Sequence, residues 1–131
     1  MKPAAFDYIR ADSAEETVGL LARHGEDAKI LAGGQSLMAM LNIRLAQPAI
    51  LVDISRCKDL DYVRVENGKL AVGAAATQAS VETRASLAAE VPLLGMAFPW
   101  ISHFQIRNRG TVCGAVAHAD PSAERPLCLT A

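Results

Sequence analysis

Ile30-Leu-Ala-Gly-Gly-Gln-Ser-Leu-Met-Ala-Met-Leu41, followed closely by Leu51-Val-Asp-Ile54, decides how the rest of the chain is read. Lys29 to Ala32 is a short, mostly apolar run of strand length. Gly33-Gly34 ends it, because adjacent glycines reach positive φ and let bare main chain approach another object. Ser36 stands where an N-cap would. Leu37, Met40, Leu41 and Leu45 fall on one stripe at helical spacing, which predicts a largely buried helix. Pro48 is its expected stop, and Ala49 to Ile54 reads as a second buried strand. A glycine turn feeding a helix start offers free N–H groups and the positive end of the helix dipole, so an anion such as a pyrophosphate is its natural occupant. The same pattern also serves simply to turn a chain. It is neither a G-x-G-x-x-G dinucleotide fingerprint nor a P-loop.

Upstream, Phe6 to Arg10 alternates as a short strand. Ser13-Ala-Glu-Glu16 is a capping box opening a helix that turns Val18, Leu21 and Ala22 inward and ends at Gly25. Residues 1–55 therefore read as a small α/β lobe with parallel pairing. Ligands of such lobes sit at the carboxyl ends of strands, where the Gly33-Gly34 turn lies.

Downstream, the polar stretch from Arg56 to Leu60 marks the expected lobe boundary, with residues 56–131 forming the second unit. Asn67-Gly68 between two alternating runs predicts a hairpin over Tyr62 to Gly73. It pairs Val65 with Leu70 and Val63 with Val72 on a core face. Thr77 is expected to cap a helix through about Glu82, which continues helically over Thr83 to Glu90 until Val91-Pro92 interrupts it. Leu93 to Ile101 is a further helix with Pro99 as a kink or stop, and Phe98, Trp100 and Phe104 are assigned to the core.

Gln105 to Pro126 is the other informative stretch. Gly110 and Gly114 bracket Thr111, Val112 and Cys113, and the small residues Ala115, Ala117 and Ala119 alternate after them. Glycines and small side chains let a ligand lie against main chain, and Thr111 adds a hydroxyl. Asp120 before Pro121 either closes an Asx-turn or accepts from a ligand hydroxyl. His118 lacks the neighbours a metal site needs, and no G-x-S-x-G nucleophile elbow exists, so it reads as a hydrogen-bonded structural histidine. Arg107 and Arg109 read as solvated or paired charges, and Cys113 as a small buried residue. No acid, base, nucleophile or metal ligand stands out.

With 51% hydrophobic and 21% charged residues among 131, the chain can bury a core. A net charge of −1 argues against a general nucleic-acid surface. No run approaches a membrane span and no signal peptide opens the chain, which reads as cytoplasmic. Cys57, Cys113 and Cys128 make no C-x-x-C motif, so neither a disulfide framework nor an iron–sulfur site of its own is expected. Pro126 to Ala131 begins an apolar periodic segment without a terminal cap, which predicts that the chain is part of a longer protein.

Ala32-Gly-Gly-Gln-Ser36 with Arg44-Leu45, Leu51-Val-Asp-Ile54, Gln105-Ile-Arg-Asn-Arg-Gly-Thr-Val-x-Gly114 and Ala117-His-Ala-Asp-Pro121 with Glu124 form one set. Together with Lys2-x-Ala4-x-Phe6-x-Tyr8, it closely resembles the FAD-binding medium subunits of molybdenum hydroxylases, the family that includes carbon monoxide dehydrogenase and xanthine dehydrogenase. The resemblance runs the length of the chain. It implies an α+β fold of the p-cresol methylhydroxylase type, the N-terminal lobe being joined to part of a second lobe with antiparallel strands. It implies FAD held between the lobes. Ala32, Gly33, Gly34, Gln35, Ser36 and Leu37 would wrap the pyrophosphate from one side, and Gly110, Thr111, Val112, Cys113, Gly114 and Ala115 from the other. Thr77 would lie near the same cleft, and Asp120 would meet the ribityl or phosphate region. A side chain added at Gly34 would take the pyrophosphate's place. Iron–sulfur (small) and molybdenum-cofactor (large) subunits are the implied partners, with electrons passing from the clusters through FAD to an acceptor. One departure is Cys113, where the family commonly has glycine; a positive φ there would be strained. A flavin-free assembly or interaction module of the same fold is the alternative reading.

Overall fold

In the computed structural model, which describes residues 1–131, β1 (Asp7–Arg10), β2 (Ala28–Leu31) and β3 (Ile50–Asp53) form a sheet in the order β1-β3-β2. β3 is central and parallel to both neighbours, which leaves Leu51 and Val52 at 1% and 0% exposure. Asp53 stands level with Arg10 on one side and Leu31 on the other.

Between β1 and β2 runs α1 (Ala14–His24). Ser13 Oγ accepts the Glu16 N–H at 3.1 Å, and the Glu16 carboxylate accepts the N–H of Asp12, not Ser13, at 2.8 Å. The capping box therefore closes one residue further upstream than its usual form. Ser13→Ala is expected to cost about 1 kcal/mol of stability, read as a lower melting temperature. Of the expected inward face only Leu21 packs against the core. Thr17 and Leu20 are buried, whereas Val18 is 65% exposed and Ala22 is exposed. Thr17 can face the core because its hydroxyl donates to the Ser13 carbonyl at 2.8 Å, so no polar atom is orphaned.

The helix after the glycine turn, α2 (Leu37–Asn42), stops well before Pro48, where Arg44 takes φ 58°. Only Leu41 is fully buried, and Leu45 is 71% exposed. Ser36 already has helical dihedrals and makes no capping bond, so the expected N-cap is absent. Ala11, Leu20, Ala28, Val52, Ile54 and Cys57 make the first core.

β4 (Val63–Glu66) and β5 (Lys69–Val72) form the expected hairpin, Val63 opposite Val72 and Val65 opposite Leu70. Asn67 at φ 51° and Gly68 at φ 73° supply the turn, as a type I′ geometry requires. Val65 is 51% exposed, so Val63, Leu70 and Val72 alone carry the hairpin's core face. Thr77 Oγ1 accepts the Ser80 N–H at 3.1 Å and caps α3 (Gln78–Glu82). Helix does not continue over residues 83–86; it resumes as α4 (Leu87–Glu90). Glu90 holds the intervening turn, taking the Arg84 guanidinium at 2.6 and 2.7 Å and the Ser86 hydroxyl at 2.9 Å.

α5 (Pro92–Ala97) begins on its proline, as the missing N–H allows, and tightens into a 3-10 turn over Phe98–Trp100. Then come α6 (Phe104–Arg107), α7 (Val112–His118) and α8 (Glu124–Thr130). Val81, Leu87, Leu94, Phe98, Ile101 and Val112 form the second core. Trp100 and Phe104 are not part of it, being 82% and 62% exposed. Phe98 and Ile101 take the inward positions of that tight turn, which leaves Trp100 to solvent. No helix is long and apolar enough to cross a membrane.

Candidate functional site

A cleft of about 630 Å³ opens at the carboxyl ends of β2 and β3, within the usual range of small-molecule sites. Leu31, Ala32, Gly33, Gly34, Gln35 and Met38 line one side, and Asp53, Ser55 and Arg56 extend it from β3. Ala75, Thr77, Asn108, Arg109 and Thr111 line the other. The two stretches singled out from the sequence thus meet across one space. The chain crosses between them through the hairpin. The N–H of Ala75 donates to the Leu60 carbonyl at 2.9 Å, and Thr77 pairs antiparallel with Thr111 beside a 2.8 Å bond from Gln78 N–H to Gly110 O.

The glycine turn presents donors with no internal partner. None of the chain's hydrogen bonds uses the N–H of Gly33, Gly34, Gln35, Ser36 or Leu37. Consecutive free N–H groups form a concave anion site. The Gln35 side chain steadies the turn by donating to the Gly33 carbonyl at 3.0 Å.

The two glycines have different reasons to be glycine. A Cβ on Gly33 would lie 2.2 Å from the Arg109 carbonyl oxygen and 2.6 Å from Gly110 Cα. The object its bare main chain approaches is therefore the other half of the cleft. Gly34 has φ 72°, and a Cβ there would meet Leu31 Cδ1 at 3.2 Å and Met38 Cγ at 3.3 Å. An added side chain at Gly34 would thus press on Leu31 and Met38. Gly110 is confined less tightly, since a Cβ there would lie 2.7 Å from the side-chain Nε2 of Gln78 and 3.0 Å from the Ile106 carbonyl oxygen.

The second stretch is a helix start. Thr111 Oγ1 accepts the Gly114 N–H at 3.0 Å, and Ala115 N–H bonds to the Thr111 carbonyl at 3.2 Å. Val112, Cys113, Gly114 and Ala115 are the first turn of α7, and of this group only Thr111 lines the cleft. Cys113 is not at positive φ, so glycine is not required there. Its thiol lies 3.5 and 3.6 Å from the Val72 and Gly73 carbonyls, and burial pushes its pKa up, which keeps it a neutral thiol. Asp120 lies outside the cleft lining. Its Oδ1 accepts the Ser122 N–H at 2.9 Å and the Ser122 hydroxyl at 2.7 Å, an Asx-turn that holds its carboxyl below the ordinary value. His118 is exposed at the end of α7 and its ring makes no hydrogen bond, unlike the structural histidine expected.

Asp53, Ser55, Arg56, Asn108 and Arg109 are the polar cleft residues that sequence reasoning did not assign to the site, beside the apolar Leu31, Met38 and Ala75. Neither Arg56 nor Arg109 has a carboxylate within ion-pair distance, although four other arginines do. Asp53 Oδ2 accepts the Tyr8 hydroxyl, and Oδ1 accepts the Ser55 N–H at 2.8 Å. Burial alone would raise the Asp53 pKa, but the Tyr8 and Ser55 hydrogen bonds outweigh it and hold the carboxyl below its ordinary value. The available signal was position, since Asp53 ends the strand beside the glycine turn.

A family model described as the FAD binding domain in molybdopterin dehydrogenase matches residues 4–131. The alpha subunit of the 6-hydroxypseudooxynicotine dehydrogenase complex of Paenarthrobacter nicotinovorans is 48% identical over 131 residues, all of this chain and 44% of that protein. The carbon monoxide dehydrogenase medium chain of Hydrogenophaga pseudoflava is 40% identical over 126 residues, 96% of this chain and 44% of that one. Among solved structures, reconstituted CO dehydrogenase from Oligotropha carboxidovorans superimposes with a TM-score of 0.92 at 40% identity, again over 96% of this chain and 44% of the other. The chain thus spans less than half the length of the relatives it matches.

Proposed function

Because the chain belongs to the family of FAD-binding domains of molybdopterin dehydrogenases, we propose that it is the cofactor-holding portion of the electron-transfer subunit of a molybdenum-containing hydroxylase or dehydrogenase. In this reading substrate is oxidised at a molybdenum centre on a large partner subunit. Electrons cross iron–sulfur clusters on a small partner subunit, and this chain holds the FAD through which they reach an acceptor. FAD supplies the redox chemistry, and the protein supplies binding, orientation and electrostatics.

The row of free N–H groups from Gly33 to Leu37 carries the reading. Of that row Gly33, Gly34 and Gln35 line the cleft and Ser36 and Leu37 do not, and the cleft also holds two guanidiniums without a carboxylate partner, Arg56 and Arg109, which suits a diphosphate. Thr77 and Thr111 each accept an N–H through Oγ1, so each hydroxyl proton remains free to donate into the cleft. Support for a partner comes from Met96, Trp100 and Phe104, large apolar side chains 71%, 82% and 62% exposed. The flavin-free alternative is not favoured. Cys113, which pointed to it, is helical and unstrained, and the glycine turn keeps its donors free.

The purified protein should take up FAD, read by quenching of flavin fluorescence, and should co-purify from its host with iron–sulfur and molybdenum subunits. Arg56→Gln and Arg109→Gln should each weaken FAD binding about fivefold to tenfold, with a shallower salt dependence, while riboflavin, which lacks phosphate, is unaffected. Variants that bind FAD as tightly as wild type at every salt concentration would remove these arginines from the site.

A further inference from the structure

We infer that Asp53 is the cofactor's ribose-binding residue, its carboxylate accepting from the hydroxyls of the adenosine half of FAD. The inference rests on the reading of the cleft as an FAD site and goes beyond it in assigning one end of the cleft to the nucleotide.

A carboxylate is out of place among the donors of an anion site. Every other charged group lining the cleft is a cation, and free N–H groups fill the turn. An unshielded negative charge would repel the diphosphate unless it had hydroxyl or amine donors to satisfy. Asp53 keeps acceptor capacity for them. Tyr8 occupies one lone pair of Oδ2 and the Ser55 N–H one of Oδ1, which leaves the carboxylate acceptor sites to spare.

Placement points to the nucleotide end. β3 is the immediate neighbour of β2, and the parallel register sets Asp53 beside Leu31, the last strand residue before the turn. An acid at the carboxyl end of the strand next to a phosphate-binding glycine turn is the arrangement by which open α/β sheets hold the ribose of a dinucleotide. The chain reaches the same arrangement without the usual glycine fingerprint. Tyr8, on β1 beyond the far side of β3, is a positioning residue. Its hydroxyl, reaching across from the strand whose Arg10 pairs with Asp53, fixes the carboxylate's rotation toward the cleft.

The ribityl chain of the flavin half also carries hydroxyls, so the test compares FAD with FMN, which keeps the ribityl chain and lacks adenosine. In the full-length protein, binding of each flavin is followed by fluorescence quenching, with ADP as a competitor, in wild type, Asp53→Asn and Tyr8→Phe. Asp53→Asn should bind FAD about tenfold more weakly and lose displacement by ADP, with FMN affinity unchanged within about twofold. Tyr8→Phe should show a smaller loss of the same kind, confined to FAD. Melting of the flavin-free proteins accompanies each measurement. Equal losses for FAD and FMN would assign Asp53 to the ribityl end and overturn the inference. So would a fall in melting temperature with unchanged relative flavin affinities, the sign of a structural Tyr8–Asp53 pair. A wild-type protein that binds no flavin would instead overturn the FAD reading itself.

Discussion

Gly33→Ala is expected to break the junction between the two halves of the cleft and to abolish FAD retention. The added methyl would sit 2.2 Å from a carbonyl oxygen and 2.6 Å from a Cα, both main-chain atoms of the Arg109–Gly110 segment. No side-chain rotation relieves such a contact, so one segment must move away from the other. Forced overpacking of this kind costs about 3 kcal/mol. For a chain of this size that lowers the melting temperature by roughly 10 °C. FAD affinity should fall more than about 100-fold, since the free N–H groups of the glycine turn and the facing wall of Arg109 and Thr111 are displaced from each other. Gly34→Ala is the internal comparison. Its φ of 72° costs an L-residue about 1–2 kcal/mol, but the atoms its Cβ meets belong to the side chains of Leu31 and Met38, which can yield. Thermal melts and flavin titrations of the two variants should therefore rank Gly33→Ala as the more damaging. Equal tolerance at both positions would mean that the close approach of the two segments does not hold in solution.

Arg107→Ala is expected to be the most damaging change outside the glycines. Its side chain is 13% exposed, with Nε 2.7 Å from the Glu82 carboxylate. Nη1 donates to the carbonyls of Ile101 and Ser102 at 2.9 and 3.1 Å. One guanidinium thus ties α6 to the end of α3 and to the turn after the 3-10 segment. Truncation leaves a largely buried carboxylate and two carbonyls without their donor, a loss of about 2–3 kcal/mol. Arg107→Lys keeps the charge but not the planar fork, and should recover less than half of that loss. The effect should reach the cleft, because Thr77 precedes α3 and Asn108-Arg109 follow α6. Saturating FAD should therefore restore part of the lost melting temperature, as a ligand of the folded state must. A variant that melts with wild type would show the bridge to be dispensable.

Arg107 also shows why function is harder to read than fold. From the sequence, Arg107 and Arg109 carry the same expectation, since both are basic and two residues apart. The fold pairs one with Glu82 and leaves the other unpaired at the cleft wall. Asp53 and Asp120 part in the same manner. The acid in the more conspicuous motif closes a local Asx-turn, and the one at the end of an ordinary strand lines the cleft. Trp100 looked like core for its size, but a tight turn has few inward positions and Phe98 and Ile101 occupy them.

What the sequence by itself determined is whatever a few neighbouring residues settle through their own dihedrals and spacing. The Asn67-Gly68 hairpin and its register, the Ser13 and Thr77 caps, the proline start of α5 and the parallel strands flanking the glycine turn are of this kind. The paired glycine motifs went further and placed the chain in its family. Only the tertiary structure decided which face of α1 is buried, that Thr111 opens a helix, and that Gly33 is bare because Arg109 and Gly110 lie against it. The physical reason is distance along the chain. φ/ψ preference and periodicity act over a few residues, whereas cleft membership, burial and charge pairing arise when segments far apart in sequence are packed to contact, and no local pattern encodes which atoms will meet there.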